Sequence, residues 1–484
     1  MIAEANFRHN DINSFLDELG EAQDKDKFFK EYVKSVRLND QKVNSVISLY
    51  SNQEILKEYY AGVEKEFNGV PILLKDNIDS IGIANTAGSL AFKNNLPKND
   101  APLVGKLRES GFIILGKANL SEWANFRGNP STSGWTSING QTNNPFNLKY
   151  NPCGSSSGSA AAIAQGLVPV SIGTETNGSI TCPASVNGVV GIKPTVGLVS
   201  RTGVIPISET QDTAGPMAKN VMDAANVLKA IAGRDPLDSY TAKIPQDYAY
   251  EKLTDLDSNY LTGKRVGVLN SSESSEIEKG LIQKVKKVLE AKGAVIVDVE
   301  FNISSDYKAA KEFYVLLYEF NVGMKTYLTG RDLPYETLED IVAFNEANSD
   351  TVLKHFGQEI FIESLKATDT ERYLKEREDI GRLAKAQIDS VLEVNNLDVI
   401  IGLTRNPGWL TDLENGDSRG DGGISWANGG LSAVAGYPHI TIPLDFVNDL
   451  PVGVSFLGTA WDEANLINAA YSFEQENKFF PIPK

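Results

Sequence analysis

The run Cys153-Gly-Ser-Ser-Ser-Gly-Ser-Ala-Ala-Ala162 combines a serine-rich loop with the start of an alanine-rich helix. A second loop of small residues follows it, Gly173-Thr-Glu-Thr-Asn-Gly-Ser-Ile180. Upstream of both loops, Lys75 ends the short apolar run Val70-Pro-Ile-Leu-Leu74, which is typical of a buried strand. A lysine that emerges from the protein interior, together with two serine-containing loops, predicts a serine nucleophile that is activated by lysine.

Histidine is the usual base beside a nucleophilic serine, because the hydroxyl keeps its proton at neutral pH. The chain has three histidines: His9 in a polar N-terminal segment, His355 in a helical stretch and His439 in a β-like run. None of the three lies in a small-residue loop. A lysine can replace histidine if burial lowers the pKa of its amine, since burial disfavours the charged form. The position of Lys75 meets this requirement.

These segments resemble the amidase signature family in both order and spacing. The resemblance includes Leu74-Lys-Asp-Asn-Ile-Asp79, the serine-rich run and Gly178-Ser-Ile-Thr-Cys-Pro-Ala184. Three further stretches match the same family, namely residues 188–195, 211–217 and 435–443. The matching region runs from about Phe7 to the C-terminus, and it covers nearly the whole chain.

Carried over by position, the resemblance implies a Ser-Ser-Lys triad. Ser179 would be the nucleophile, Ser155 a bridging serine preceded by a non-proline cis peptide bond, and Lys75 the base that finally takes the proton. The resemblance also implies an oxyanion hole, which stabilises the negative charge of the transition state. This hole would be formed by the backbone N–H groups of Thr176, Asn177, Gly178 and Ser179.

The sequence departs from the commonest pattern of the family. Many members have Gly-Gly-Ser-Ile-Arg, where this chain has Asn-Gly-Ser-Ile-Thr at residues 177–181. The missing arginine argues against an A-type component of glutamyl-tRNA amidotransferase, which resembles the arginine-containing pattern. The version in this chain is closer to the peptide amidase subgroup, which hydrolyses the C-terminal carboxamide of peptides. The helical stretches at 337–341 and 356–361 also resemble that subgroup.

We therefore expect an amidohydrolase that cleaves a linear carboxamide, a C-terminal peptide amide or an amino-acid amide, to acid and ammonia through an acyl-enzyme. The alternative is an A-type subunit of a glutamyl-tRNA amidotransferase that releases ammonia from glutamine and works with partner chains. A third interpretation is a binding protein on an amidase scaffold without catalysis.

Two competing motifs predict other chemistry. Gly154-Ser-Ser-Ser-Gly158 satisfies the Gly-x-Ser-x-Gly elbow, which would make Ser156 the nucleophile of an α/β-hydrolase. That fold needs a strand directly before the elbow, whereas residues 143–152 are rich in asparagine and proline and indicate a loop. Gly111-Phe-Ile-Ile-Leu-Gly-Lys-Ala118 resembles a phosphate-binding loop, but its apolar middle and missing serine or threonine favour a buried strand.

Taken singly, each candidate residue also has a structural explanation. Lys75 could pair with Asp76 or Asp79 at the end of its strand, and Ser179 could be an ordinary turn residue. The serines of the first loop could cap the alanine-rich helix. Only the joint pattern favours catalysis.

Further candidates for substrate binding or for support of the site are Ser156, Asp212, Trp135 and Trp426. We expect Asp212 to order loops by hydrogen bonding. Trp135 and Trp426 lie in loops rich in glycine, serine and asparagine, where they could line a pocket or act as packing anchors.

The two cysteines flank the proposed serines. If the two loops converge, the sulfurs of Cys153 and Cys182 lie close together. Two cysteines in 484 residues do not form a disulfide framework, and the first ten residues contain no secretory hydrophobic segment. We therefore expect a cytoplasmic protein with reduced thiols.

The overall composition limits the partners. A net charge of −17, from 46 basic and 63 acidic residues, argues against binding to nucleic acid or to an anionic membrane. No apolar run approaches the roughly 20 residues of a transmembrane helix, and no His, Cys or carboxylate cluster has metal-ligand spacing. We expect a small-molecule or peptide amide substrate, no cofactor or metal, and a monomer or homodimer.

The pattern of strands and helices predicts an α/β fold. Strand-like residues 264–269, a helix that ends near Gly293 and strand-like residues 294–299 form one βαβ-like unit. We expect a single large amidase-signature-type domain at 69–484, with a mixed central β-sheet covered by helices on both faces. Residues 1–68 are predicted to be an N-terminal helical segment, and residues 304–395 a helical cap-like insertion that shapes the substrate entrance.

Overall fold

The computed structural model describes residues 11–271, 274–301, 305–417 and 430–484. Within these ranges, eleven strands form a central sheet and two short strands form a separate hairpin. In chain order the strands are β1 Val46–Leu49, β2 Pro71–Lys75, β3 Ile113–Ala118, β4 Trp135–Thr136, β5 Gly140–Gln141, β6 Val170–Glu175, β7 Val190–Lys193, β8 Thr213–Ala218, β9 Arg265–Leu269, β10 Val295–Val299, β11 Val399–Leu403, β12 His439–Val447 and β13 Leu450–Leu457.

Sixteen α-helices are formed by the same described ranges. They are α1 Ile12–Glu21, α2 Lys25–Asn39, α3 Asn52–Ala61, α4 Pro102–Ser110, α5 Ser157–Gln165, α6 Thr181–Val186, α7 Val221–Ile231, α8 Glu276–Ala291, α9 Ser305–Ala309, α10 Glu312–Leu328, α11 Leu338–Ala347, α12 Ser349–Val352, α13 Glu359–Lys366, α14 Thr370–Val394, α15 Gly430–Ala435 and α16 Glu463–Asn477. No helix in this part of the chain is both long enough and apolar enough to span a membrane.

The central sheet is mixed. Its strand order is β1-β3-β2-β6-β8-β7-β12-β13-β11-β9-β10, with β2 parallel to both β3 and β6, and β8 antiparallel to β6. Every residue of β2, β3, β6 and β8 is buried, as expected for strands whose two faces are both covered. The predicted α/β fold with a mixed sheet flanked by helices is confirmed.

The predicted βαβ unit is also confirmed. β9 and β10 pair in parallel, and α8 connects them. Ser275 begins α8 with a capping box, in which its hydroxyl accepts from the backbone of Glu278 while the Glu278 carboxylate accepts from the backbone of Ser275. The apolar face of the helix is buried, namely Leu281, Ile282, Val285, Val288 and Leu289.

The N-terminal segment contains a strand that the sequence pattern did not reveal. Helices α1, α2 and α3 agree with the prediction, but β1 pairs antiparallel with β3 and forms an edge of the central sheet. All four residues of β1 are only partly buried, so neither face of the strand is fully covered. The sequence therefore lacks the alternation of apolar and polar residues that would have indicated a strand. Residues 1–10 lie outside the described ranges, and the boundary at residue 68 remains a prediction.

The charged stretch predicted to be a helical insertion contains α9 to α14. It packs on the rest of the chain through a second apolar cluster. In this cluster Phe126 contacts Phe320 with ring centroids 5.1 Å apart, and Trp123 contacts Phe361 at 5.3 Å. The aromatic rings of the core loops thus bury the inner face of the insertion.

A buried ion pair lies beside this aromatic contact. Arg127 and Glu122 are both fully buried, and Nε of the arginine lies 2.9 Å from Oε2 of the glutamate. Nη1 of Arg127 donates to the carbonyl of Val352 at 2.8 Å, and the guanidinium lies 4.4 Å from the ring centre of Phe356. The ion pair therefore connects the core loop to two residues of the insertion.

We expect Arg127→Met to destabilise the protein by roughly 3 to 5 kcal/mol, because it leaves the Glu122 carboxylate buried without its partner. The double variant Glu122→Gln with Arg127→Met should recover part of this loss. Thermal unfolding followed by circular dichroism measures both. Arg382→Met is the control, because Arg382 forms an exposed pair with Asp379 and its loss should cost less than about 1 kcal/mol. Equal melting temperatures for the two single variants would contradict the prediction.

Candidate active site

The candidate site lies where two neighbouring parallel strands end. Lys75 is the last residue of β2, and Thr174 and Glu175 are the last two residues of β6. Since β2 and β6 pair in parallel, their carboxyl ends meet at the same edge of the sheet. Ser155 lies in the loop directly before α5, and Ser179 lies directly before the turn into α6.

The amine of Lys75 is enclosed by hydrogen-bond partners. Its Nζ lies 2.7 Å from Oγ of Ser155, 2.8 Å from Oγ1 of Thr174 and 3.1 Å from the carbonyl oxygen of Thr174. Lys75 and Ser155 are both fully buried. The peptide bond between Gly154 and Ser155 is cis, as the resemblance implied.

The ordinary explanation for Lys75, an ion pair with a neighbouring carboxylate, is wrong. The carboxylate of Asp76 instead lies 3.4 Å from the ammonium of Lys117, which is a residue of the buried strand β3. Asp79 binds the guanidinium of Arg331. Lys75 is therefore left to interact with the hydroxyl groups of Ser155 and Thr174 and with the Thr174 carbonyl.

Burial changes the protonation of Lys75. Loss of solvent lowers the pKa of its amine to about 7, and this effect outweighs the attraction of the Asp212 and Glu175 carboxylates, which acts in the opposite direction. Near neutral pH a large fraction of the amine is thus uncharged. An uncharged amine can accept a proton from Ser155 across the same 2.7 Å contact.

The second serine lies beside the first. The backbone N–H of Ser156 donates to the carbonyl of Ser179 at 3.1 Å, which joins the two serine loops. Ser179 is partly exposed, and its hydroxyl has no hydrogen-bond partner among the described residues. The loop therefore holds an accessible hydroxyl, and its backbone is joined to the loop that carries the buried Ser155.

Four backbone donors of this loop have no acceptor within the described ranges. They are the N–H groups of Thr176, Asn177, Gly178 and Ser179. Gly178 has a φ of +82°, a left-handed conformation that glycine adopts without strain. A run of unpaired N–H groups next to a hydroxyl is suited to bind an oxygen that carries negative charge.

Glu175 holds the far side of the loop, a role that no sequence motif indicated. Its Oε2 accepts from the backbone N–H of Ile180 at 2.7 Å and of Thr181 at 3.0 Å. The hydroxyl of Thr181 lies 3.2 Å from the same oxygen. The threonine that replaces the family's arginine thus joins this carboxylate. The sequence feature that could have indicated this role is a carboxylate residue directly before a small-residue loop and a short helix, because a helix N-terminus attracts negative charge.

Asp212 orders loops, as the sequence predicted. Its Oδ1 accepts from the hydroxyl of Thr176 at 2.6 Å. Its Oδ2 accepts from the backbone N–H groups of Ile207 and Ser208 at 2.8 and 2.9 Å. Burial raises the pKa of the Asp212 carboxyl, although these hydrogen bonds oppose the shift.

Ser156 is fully buried and its hydroxyl is engaged by Thr174. It donates to the carbonyl of Thr174 at 3.0 Å and accepts from the N–H of the same residue at 3.2 Å. The residues before it form a loop rather than a strand. The structure therefore does not support Ser156 as the nucleophile of an elbow, and it makes this residue a support for the end of β6.

The two tryptophans have different outcomes. Trp135 is only 6% exposed and packs edge-on against His355 and Phe356 of the insertion. The structure thus shows Trp135 as a packing contact between its loop and the insertion, and a role in lining the substrate pocket stays a prediction. Trp426 lies outside the described residues.

The described histidines take no part in the serine pair. His439 is fully buried in β12, and its Nε2 lies 2.6 Å from Oγ of Ser455. Burial lowers its pKa to about 3, with a further contribution from Lys193. His355 packs on Trp135, and His9 lies outside the described ranges. Within the same ranges, no group of three or more His, Cys, Asp or Glu side chains could hold a metal ion.

The two cysteines form a disulfide bond, so the expectation of reduced thiols is wrong for this structure. The expected proximity is confirmed, with Cα atoms of Cys153 and Cys182 6.0 Å apart across a sequence separation of 29. Both cysteines are buried, and Nη1 of Arg405 lies 3.0 Å from Sγ of Cys182. The bond links the loop of Ser155 to the helix that follows Ser179.

Comparison with known proteins gives consistent matches. The Amidase family model matches residues 28–467. A probable amidase of Arabidopsis thaliana is 38% identical over 433 residues, which is 86% of this chain and 78% of that protein. The A-type subunit of the glutamyl-tRNA(Gln) amidotransferase of Thermoanaerobacter pseudethanolicus is 33% identical, with 94% of this chain and 93% of that protein covered. The crystal structure of native peptide amidase from Stenotrophomonas maltophilia superposes with a TM-score of 0.91 at 41% identity, covering 98% of both chains.

We expect replacement of both cysteines by alanine to lower the free energy of unfolding by roughly 3 to 4 kcal/mol, because the bond restricts a loop of this length in the unfolded chain. Thermal unfolding without reductant measures the loss. Thiol titration of the denatured wild type is the accompanying check, and it should detect two thiols only after reduction. Two titratable thiols before reduction, or an unchanged melting temperature of the variant, would contradict the disulfide.

Proposed function

Because this chain belongs to the amidase family and is a hydrolase that acts on amide C–N bonds, we propose that it cleaves a linear carboxamide to acid and ammonia. The substrate class we propose is a C-terminal peptide amide or an amino-acid amide. The similarity to a peptide amidase over 98% of the chain supports this choice. The single observation that carries the proposed chemistry is the 2.7 Å contact between the buried amine of Lys75 and the hydroxyl of Ser155.

In the proposed reaction Ser179 attacks the carbonyl carbon of the amide. Its proton passes to Oγ of Ser155 while the proton of Ser155 passes to Nζ of Lys75. Collapse of the tetrahedral intermediate breaks the C–N bond, and the leaving ammonia takes a proton back along the same route. Water then attacks the acyl-enzyme on Ser179, which releases the acid and restores the three side chains.

The negative charge that develops on the carbonyl oxygen requires donors. We assign this role to the unpaired N–H groups of residues 176–179, where each donor contributes on the order of 3 kcal/mol in comparable enzymes. Asp212 and Glu175 hold the two ends of this loop, through Thr176 on one side and through Ile180 and Thr181 on the other. The donors are thus positioned before the substrate binds.

The second candidate is an A-type subunit of a glutamyl-tRNA amidotransferase, which is favoured by 33% identity to such a protein over 94% of the chain. Thr181 in place of arginine argues against it. A protein of that kind would release ammonia from glutamine and would co-purify with partner chains. Turnover confined to glutamine would favour this candidate over the first.

Ser179→Ala should abolish hydrolysis, because the variant lacks the proposed nucleophile. The measurement is ammonia release from a panel of C-terminally amidated peptides, amino-acid amides, fatty amides and glutamine, and we expect turnover of the first two classes. Ser349→Ala is the matched control, since Ser349 is an exposed serine at the start of α12 and should keep wild-type activity. Full activity of the Ser179→Ala variant would overturn the assignment.

The pH dependence should follow the protonation of Lys75. Protonated Lys75 cannot accept a proton, so kcat/KM should fall about tenfold for each pH unit below about 7 and should level off above it. The measurement uses an amide substrate that does not titrate in this range. Lys75→Arg should lose activity at every pH, because a guanidinium stays protonated. A rate that does not change across pH 7 would exclude Lys75 as the base.

A further inference from the structure

The side chain of Glu312, in the helical insertion, contacts the loop of unpaired N–H groups. Glu312 is the first residue of α10, and its Oε1 accepts from Nδ2 of Asn177 at 2.8 Å. The same oxygen accepts from Nε2 of Gln211 at 3.0 Å, and Gln211 also lies 3.3 Å from the carbonyl of Thr176. A carboxylate thus lies directly against the loop that precedes Ser179.

Among the side chains that the structure describes, none forms an ion pair with the Glu312 carboxylate. Its two hydrogen-bond partners among those side chains, Asn177 and Gln211, are uncharged amides. Glu312 is only partly buried, and Asn177 is exposed. The guanidinium of Arg405 contacts Cys182, on the C-terminal side of Ser179. On the N-terminal side, a carboxylate contacts the exposed Asn177 of the loop.

The residue that follows Glu312 is also accessible. Phe313, the next residue of α10, is 46% exposed, and its ring lies 6.2 Å from that of Phe126. The accessible serine follows Asn177 by two residues. Because Glu312 contacts the residue two positions before Ser179, a substrate acyl group on Ser179 would lie in the neighbourhood of this carboxylate.

We propose that Glu312 determines the charge preference of the enzyme, favouring amides with a positively charged group near the scissile carboxamide and disfavouring amides with a carboxylate there. This inference rests on the proposed function, because it concerns the substrate of the same site. The physical reason is Coulombic attraction or repulsion across a few ångströms at a partly exposed position. The same repulsion acts on the carboxylate product, and it favours product release over rebinding.

Glu312 has two separable properties, its charge and its hydrogen bonds. Glu312→Gln removes the charge but keeps an oxygen that can accept from Asn177 and Gln211. A change in charge preference in this variant therefore reports the charge, whereas a uniform loss of activity reports the position of the loop. Glu339→Gln is the matched control, because Glu339 occupies the first turn of α11 in the same insertion and is exposed.

The experiment compares kcat/KM for three peptide amides that differ only in the last residue, which is Lys, Leu or Glu. We expect the wild type to prefer the lysine over the glutamate substrate by on the order of tenfold, and we expect high salt to weaken this preference. In Glu312→Gln the ratio of kcat/KM for the lysine substrate to that for the glutamate substrate should approach one. Glu339→Gln should keep the wild-type ratio.

The outcomes separate this inference from the proposed function. Hydrolysis of the leucine substrate with an unchanged lysine-to-glutamate ratio in Glu312→Gln would overturn the inference and leave the proposed function intact. An equal loss for all three substrates would also overturn it, because Glu312 would then only position the loop. Absence of hydrolysis of every amide by the wild type would overturn both.

Discussion

The contact on which the rest of the site depends is that between the buried amine of Lys75 and the hydroxyl of Ser155. This contact exists because β2 is buried on both faces and ends beside β6. The amine of Lys75 is therefore surrounded by the end of a neighbouring strand and not by water. Burial of an amine is unfavourable for its charged form, and the pKa near 7 follows from that cost. A fold that exposed this strand end would leave an ordinary, fully protonated lysine.

The loop that carries Ser179 is held from several directions by groups of different chemistry. Glu175 and Asp212 accept hydrogen bonds on either side of it, and a disulfide bond follows it in α6. Glu312 approaches from the insertion. If the unpaired N–H groups act as the proposed oxyanion hole, donors fixed in this way need no rearrangement during the reaction. The insertion thereby contacts the candidate site directly.

Thr181, at the position after Ser179 and Ile180, takes part in the hydrogen bonds that hold the start of α6. Its hydroxyl joins the carboxylate of Glu175, which already accepts from two backbone N–H groups at the start of α6. The position after Ser179 is therefore uncharged, and the charges in contact with the loop on its N-terminal side come from Asp212 and Glu312. This arrangement differs from a site built to bind a substrate carboxylate beside the nucleophile.

The sequence by itself determined the features that depend on short segments: the mixed α/β sheet, the βαβ unit of β9, α8 and β10, and the choice of lysine over histidine as the candidate base. These follow from apolar runs, capping residues and local motifs, whose physical effect acts over a few residues. Only the tertiary structure decided the edge strand β1, the packing of Trp135, the disulfide bond and the contact of Glu312 with Asn177, which are 135 residues apart in the chain. Such contacts form only after the sheet has brought distant loops together, so no local pattern could encode them.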